Sequence, residues 1–391
     1  MKKRAVASEV LDVYTRMSPS KLNIEDDKVF NTIENRLVSI IEDRLKFPRR
    51  FFKDINYLNL GCGTGEPDII FATWGAYGIG IDINPISIER ANNLRERFSV
   101  GHRLQYMVGN VEQPELNNKF GLVISDGVLP HVENPEKLLH AMCGNVESDG
   151  YLILGFLDLG GNIQRLLHGV IVRLLSEGND HDVIENIAYS IFKDHLERCA
   201  QYGGRTVKAV INDYIINKHS YGIDTFQIIE FMRSNGFSLH TSYPFVERFV
   251  NSNPSDQAST QRTCNTDYSI FQQLCWTFAR EYDEWDSEIR KSCKANIFFE
   301  GLNENILSAD NSNECEVNEP FSDIFEFLDS VEDNLLGKAT RDCRQGLFEL
   351  KELLEALHKG KINNKNCLEY RRIFKGFNGF GTVYLSFKNV N

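Results

Sequence analysis

The stretch LNLGCGTGE, residues 58 to 66, closes a short apolar run that starts at Tyr57 and opens a segment with helical character. Strand, tight glycine turn and helix is the setting in which doubly wound α/β folds hold nucleotide-type ligands. The glycines stand at 61, 63 and 65, a G-x-G-x-G spacing. A dinucleotide fingerprint would place its third glycine at 66, where this chain has Glu66. A carboxylate there would repel a pyrophosphate at the helix N-terminus. No lysine follows in the G-x-x-x-x-G-K-[ST] pattern either, so the turn argues against a phosphate ligand.

Outward from the turn, strand and helix patterns alternate. PDIIFATWG reads as a helix, YGIGIDI as a strand, ISIERANNLRERF as a helix and LQYMVGN as a strand. FGLVISDG is a further strand, NPEKLLHAMCGNV a helix and DGYLILGFLD a fifth strand. This alternation predicts an α/β fold, a doubly wound and mainly parallel sheet between helical layers. Upstream, Val29, Phe30, Ile33, Leu37, Ile40, Ile41 and Leu45 share one helical stripe, giving a helical lead-in over 1–50. The α/β core spans 51–158, and a helical cap over 159–224 follows the fifth strand. Residues 225–246 supply a helix and the strand SLHTSYPF. The chain closes on the strand GTVYLSF, within 375–391, which needs a partner. Pairing it with SLHTSYPF as an antiparallel hairpin makes seven strands and leaves 247–374 as a helical insertion before the last strand.

The 391 residues exceed what one core usually supports, in keeping with a main domain plus additions. The net charge of −12 disfavours a polyanionic partner, and no basic run with interleaved aromatics stands out. Nucleic acid is therefore not expected as a substrate. The nine cysteines are scattered with no C-x-x-C pair, which suits free thiols in a reducing cytoplasm rather than a zinc site or a disulfide framework. The start MKKRAVASEVLDVY lacks the apolar segment of a secretory signal, and no run approaches the ~18 residues of a membrane span. A cytoplasmic protein without a membrane partner is expected.

A ligand that carries positive charge in place of phosphate fits the turn. S-adenosylmethionine has a sulfonium, a ribose with two free hydroxyls and an amino-acid tail that glycines would let the backbone approach. Asp82 ends the second strand, where a carboxylate can accept hydrogen bonds from both ribose hydroxyls. VGNVE puts Asn110 and the N–H of Val111 where an adenine edge would lie. With LNLGCGTGE, GIGIDINP, VGNVE and FGLVISDGVLPHVENP in order, residues 57–156 resemble the class I S-adenosylmethionine-dependent methyltransferases. The resemblance implies that Gly61, Gly63 and Gly65 line the methionine moiety, Asp82 binds ribose, and Asn110 with Val111 meets adenine. Asn59, Cys62, Ile83, Asp126 and Gly127 complete the implied cofactor-binding set. Two positions depart from the family pattern: Asn59 and Asn110 stand where acidic residues are common.

Methyl transfer needs alignment, dryness and, for an oxygen or nitrogen acceptor, a group to take its proton. His131, just after the fourth strand, is the first candidate, with a loop-capping structural role as the alternative. Asp126 could orient cofactor or substrate, or cap the turn before Gly127. The segment INDYIINKHSYGIDTF, 211–226, is expected as a polar, aromatic loop bringing Asp213, Tyr214, His219 and Tyr221 to a substrate pocket. His219 and Tyr221 are the catalytic candidates from it. His181, His195 and His219 lack a recognisable ligand spacing, and no metal is expected. The expected activity is methyl transfer to oxygen or nitrogen of a small organic molecule. The alternatives are a non-catalytic scaffold and a protein methyltransferase, either using the insertion to hold a partner. The insertion could equally serve a homodimer.

Overall fold

The computed structural model describes residues 24–176, 181–203, 205–217, 221–243, 359–361 and 382–391, with residues 11, 15, 352 and 356 between. The expected insertion over 247–374 lies almost wholly outside them. The described residues fall into two units, one of residues 11, 15, 24–156, 227–243 and 383–391 and one of residues 157–226, 352, 356, 359–361 and 382.

The first unit holds a seven-stranded sheet in the order β3-β2-β1-β4-β5-β7-β6. Its strands are β1 (Asn56–Leu60), β2 (Tyr77–Asp82), β3 (Leu104–Val108), β4 (Phe120–Asp126), β5 (Val146–Leu157), β6 (Phe237–Tyr243) and β7 (Thr382–Asn389). The pairs β1–β2, β1–β4, β2–β3 and β4–β5 are parallel, and β6–β7 is antiparallel. The expected hairpin of SLHTSYPF with GTVYLSF is therefore present, with Thr241 opposite Ser386 and Tyr243 opposite Tyr384. Strand order reverses between β1 and β4, so the crevice for a ligand opens outside their carboxyl ends. Those are the ends carrying LNLGCGTGE and FGLVISDG.

Helices α1 (Asp27–Val38), α2 (Glu66–Thr73), α3 (Pro85–Arg97) and α4 (Pro135–Gly144) belong to this unit. Their starts are fixed by local chemistry. Asp26 caps α1 by accepting from the N–H groups of Lys28 and Val29. Asn84 and Asn134 cap α3 and α4, each followed by a proline that needs no N–H partner. The α1 stripe continues into a π-helical turn over Ser39–Arg44, which brings Ile40, Ile41 and Leu45 all into the core. Phe52 stacks on Phe71 at 4.8 Å and meets Trp74 edge-on, fastening the lead-in to the back of α2. Tyr57, Leu58 and Leu60 of β1 are fully buried, as a central strand covered on both faces requires.

The second unit contains α5 (Leu159–Ser176), α6 (His181–Gly203) and α7 (Val207–Ile211), and α8 (Thr225–Ser234) begins at its end. Helix α6 is kinked at Phe192, where φ is −107° and ψ is 19°. Residues 211–226, expected as a loop, begin instead with the end of α7 and a π-helical turn over Asn212–Ile216. Burial of Ile211, Asp213 and Ile215 explains the difference: this short polar stretch has an inward face. Asp213 accepts from Arg205 at 2.7 Å, and the Arg165 guanidinium lies 3.5 Å from the Tyr214 ring centroid. Asp158 makes a parallel bridge to Ile223, and its carboxylate accepts from the Thr225 hydroxyl at 2.6 Å, anchoring the start of α8.

Candidate functional site at the carboxyl ends of β1, β2 and β4

The glycine turn is fixed by its backbone. Gly61 and Gly65 have φ of +86° and +78°, the left-handed region that side chains resist. A Cβ on Gly61 would stand 2.1 Å from Cγ2 of Val128, and one on Gly65 would stand 2.7 Å from the Tyr106 hydroxyl. The N–H groups of Gly61 and Cys62 both donate to the Ile81 carbonyl, tying the turn to the end of β2. Gly63 differs, since a Cβ there would meet nothing within 4 Å. That open side is where a ligand can approach the turn.

Asp82, at the end of β2, faces this turn. Its Oδ2 accepts the Gly63 N–H at 2.9 Å and its Oδ1 accepts the Asn84 N–H at 2.8 Å. Desolvation raises its carboxyl, while these two N–H groups favour the charged form. Ile83 beside it is exposed, an apolar surface next to an anchored carboxylate. At the end of β3, Val111 is buried and Asn110 is exposed, its Oδ1 accepting the Glu112 N–H at 2.9 Å. Asn110 thus shapes its own turn and keeps its amide group at the surface.

Across the switch point, Ser125 donates to the Leu60 carbonyl at 2.9 Å, binding β4 to β1 where the two diverge. Asp126 follows. Its side chain is exposed at the end of β4, and desolvation by the groups packed beside it raises its carboxyl. The Arg36 charge and a hydrogen bond with Tyr384 favour its charged form. Gly155 leaves room for it, because a Cβ there would fall 2.1 Å from Asp126 Oδ1. Gly127 has φ of +73° and open space where its Cβ would be. His131 is half-buried at the end of a 3-10 turn, Leu129–His131, held by its own N–H donating to the Val128 carbonyl at 2.8 Å. The structure thus gathers Gly61, Gly63, Gly65 and Asp82 directly around one turn, with Asp126 and Gly127 at the end of the neighbouring strand pair. Tyr221 belongs to the second unit, where it is half-buried, and His219 lies outside the described residues.

The polar groups behind the turn are legible only in three dimensions. Glu66 is buried and directed inward: it accepts from the Thr64 hydroxyl and lies 3.4 Å from Arg90. Beside it, Asp68 is buried among Tyr57, Asn59 and Tyr106. Its Oδ1 accepts from the Tyr57 hydroxyl at 3.0 Å and from Asn59 Nδ2 at 2.9 Å. Asn59, which stands where the family often has an acid, therefore carries a carboxylate as its hydrogen-bond partner. The one available signal was an aspartate inside the otherwise apolar run PDIIFA.

The family of proteins described as a methyltransferase domain matches residues 51–194. Residues 51–194 belong to that family. The seven-stranded sheet, mostly parallel with one antiparallel hairpin, is Rossmann-like, and its strands β1 to β5 lie within the matched span. Over 128 residues the chain is 32% identical to a mitochondrial ubiquinone biosynthesis O-methyltransferase of Schizosaccharomyces pombe, covering 31% of this chain and 47% of that one. Over 132 residues it is 27% identical to a malonyl-[acyl-carrier protein] O-methyltransferase of Acetivibrio thermocellus, covering 33% of this chain and 44% of the relative. The chain thus spans less than half the length of these curated relatives. Among solved structures, a magnesium protoporphyrin IX methyltransferase from Synechocystis PCC 6803 with bound SAM aligns with 59% of this chain and 82% of its own, at 16% identity and a TM-score of 0.35. The methyltransferase domain carries the glycine turn, Asp82, Asn110, Asp126 and His131 within its matched span.

Proposed function

We propose that this protein transfers a methyl group from S-adenosylmethionine to an oxygen or nitrogen of a small organic molecule. The observation that carries the reading is the pairing of Asp82 with the open glycine turn. A carboxylate anchored by the Gly63 and Asn84 N–H groups stands beside a turn whose Gly63 side is free. Both features fit the cofactor: an acceptor pair for vicinal hydroxyls and a close backbone approach for an amino-acid tail. Gly61, Gly63, Gly65 and Asp82 would hold it, with Ile83, Asn110 and Val111 on the adenine side and Asp126 with Gly127 across the crevice. The cofactor supplies an electrophilic methyl carbon on a sulfonium.

The chain's own work is then orientation, exclusion of water and handling of one proton. Asp126 orients a group bound at the end of β4. His131, at the rim of the same strand end, is the proton acceptor of this reading. The name of the ubiquinone biosynthesis O-methyltransferase supports a small acceptor, and extending that name to this chain is part of the proposal. The described cysteines, Cys62, Cys143 and Cys199, are free thiols, and a cytoplasmic location is part of the proposal.

Titration calorimetry with S-adenosylmethionine and S-adenosylhomocysteine tests the proposal. Saturable binding that weakens at least tenfold in Asp82→Ala supports it. Absence of binding at millimolar ligand, from protein that circular dichroism shows to be folded, overturns it.

A further inference from the structure

Directly behind the glycine turn lies a buried polar cluster that no step above has used. At its centre is Asp68, in the first turn of α2, with 1% of its surface exposed. Tyr57 and Asn59 of β1 both donate to its Oδ1. Its Oδ2 is buried with no donor in good hydrogen-bonding geometry, and the Tyr106 hydroxyl lies close enough to favour the charged form. The other titratable groups around the cluster come from every packed element. Glu66 stands on the same helix, Cys62 in the turn and Tyr106 on β3. The cations nearby are engaged elsewhere: Arg90 of α3 faces Glu66, and the Arg95 guanidinium, which favours ionised Tyr106, donates to the Leu104 carbonyl at 2.9 Å.

A carboxyl so placed is held by neutral donors and repelled by a neighbouring carboxylate. Desolvation dominates and pushes its pKa up to about 7, against the opposing hydrogen bonds from Asn59 and Tyr57. Asp68 therefore exchanges its proton near neutrality. The cluster is mechanically coupled to the turn, since the Tyr106 hydroxyl donates at 3.5 Å to the carbonyl of Gly65 and blocks any side chain at that position.

We propose that Asp68 is a specificity-determining residue that lets the site distinguish the cationic methyl donor from its neutral demethylated product. The inference rests on the cofactor reading above. A sulfonium gains from a negative charge behind the turn, whereas the thioether of S-adenosylhomocysteine has no such charge to stabilise. At a separation on the order of 10 Å and an effective dielectric of about 20, one unit charge changes a cation's affinity by roughly tenfold. Ionised Asp68 favours the donor, and by linkage bound donor favours ionised Asp68. In this chain the charge that Asn59 lacks is supplied from the helix, through the hydrogen bond between the two side chains, and its strength depends on pH.

The test is calorimetric binding of both ligands to the full chain between pH 5.5 and 8.5, in wild type, Asp68→Asn and Tyr57→Phe. The readout is the preference for donor over product at each pH. Wild type should gain roughly tenfold in preference across neutral pH, beyond any trend in Asp68→Asn. That difference subtracts the ligands' own ionisation. Tyr57→Phe removes a donor to Oδ1 and should move the transition to higher pH. Equal pH dependence in wild type and Asp68→Asn overturns the proposal while leaving cofactor binding intact. Absence of binding by either ligand in wild type instead overturns the cofactor reading and this inference with it.

Discussion

Replacing Gly61 by alanine should be among the most damaging single-methyl additions to the first unit. Two costs combine. The residue sits at φ +86°, where a Cβ costs about 1–2 kcal/mol by crowding its own backbone. That Cβ would also stand 2.1 Å from Cγ2 and 3.1 Å from Cβ of Val128, inside contact distance. Val128 follows the Asp126–Gly127 turn and precedes the short 3-10 turn, so it can yield only by shifting the end of β4. Overpacking of this kind costs typically about 1–3 kcal/mol, for a total of about 2–5 kcal/mol. Urea unfolding followed by circular dichroism measures the loss. Val128→Ala removes Cγ2 and should return the steric part, so the double variant should be about 1–3 kcal/mol more stable than the sum of the singles. The backbone strain should remain in the double variant. Strict additivity, or a single variant within about 0.5 kcal/mol of wild type, would refute the reasoning that the first and fourth motifs are locked by this contact.

The remaining predictions concern charge. Asp68 has its pKa raised from 3.8 to about 7, so its contribution to stability is complete below pH ~4 and disappears as pH rises through about 7. Asp68→Asn should therefore stabilise the ligand-free protein at pH 8, by about 2–4 kcal/mol, and change little at pH 4; equal effects at both pH values in urea titrations would contradict this. The second unit has the opposite sign. Burial, aided by Arg198 and Arg165, pushes His195 down to about 4, and burial pushes His168 further down. Their contribution is present above pH ~6.5 and is lost as pH falls toward 4, for about 2–3 kcal/mol from His195 alone. Limited proteolysis should accordingly release fragments of 157–226 at pH 4.5 before those of the sheet, and His195→Phe should delay that release. For catalysis, His131→Ala should lower kcat by about 10²–10⁴ with the donor's dissociation constant unchanged. An unchanged kcat, once an acceptor is found, would leave His131 as a structural cap.

How far the sequence discloses this site depends on which way each residue faces. The strands and the glycine turn are legible because a parallel sheet buried on both faces writes itself as apolar runs punctuated by glycines. Asp82 is legible because it ends such a run. The pairing of residues 237–243 with the far end of the chain follows from an unpartnered strand, an argument from hydrogen-bond accounting rather than from local pattern. Asp213 and Tyr214 are misleading for the opposite reason. A polar aspartate and a tyrosine suggest a loop, but one alternate face of NDYII is buried and its aspartate is neutralised by Arg205, eight residues earlier. No periodicity rule weighs such a pairing.

Asn59, Glu66 and Asp68 show the limit most sharply. Read along the chain, Asn59 is a missing acid and Glu66 is a carboxylate aimed at a ligand. In space, Glu66 turns away toward Thr64 and Arg90, and the acid is present after all, nine residues after Asn59 and hydrogen-bonded to it at 2.9 Å. Moving the carboxylate from the strand to the first turn of the helix keeps its charge near the turn but takes it further from water. That displacement raises its pKa into the neutral range, since neutral amide and phenol donors only partly offset desolvation. An aspartate at position 59 would add a second buried carboxylate against Asp68, and one of the two would have to hold a proton. Asn59→Asp should thus push the pair's upper titration higher still and erase the neutral-pH gain in donor preference; retention of that gain would show that the charge acting on the ligand does not come from this cluster.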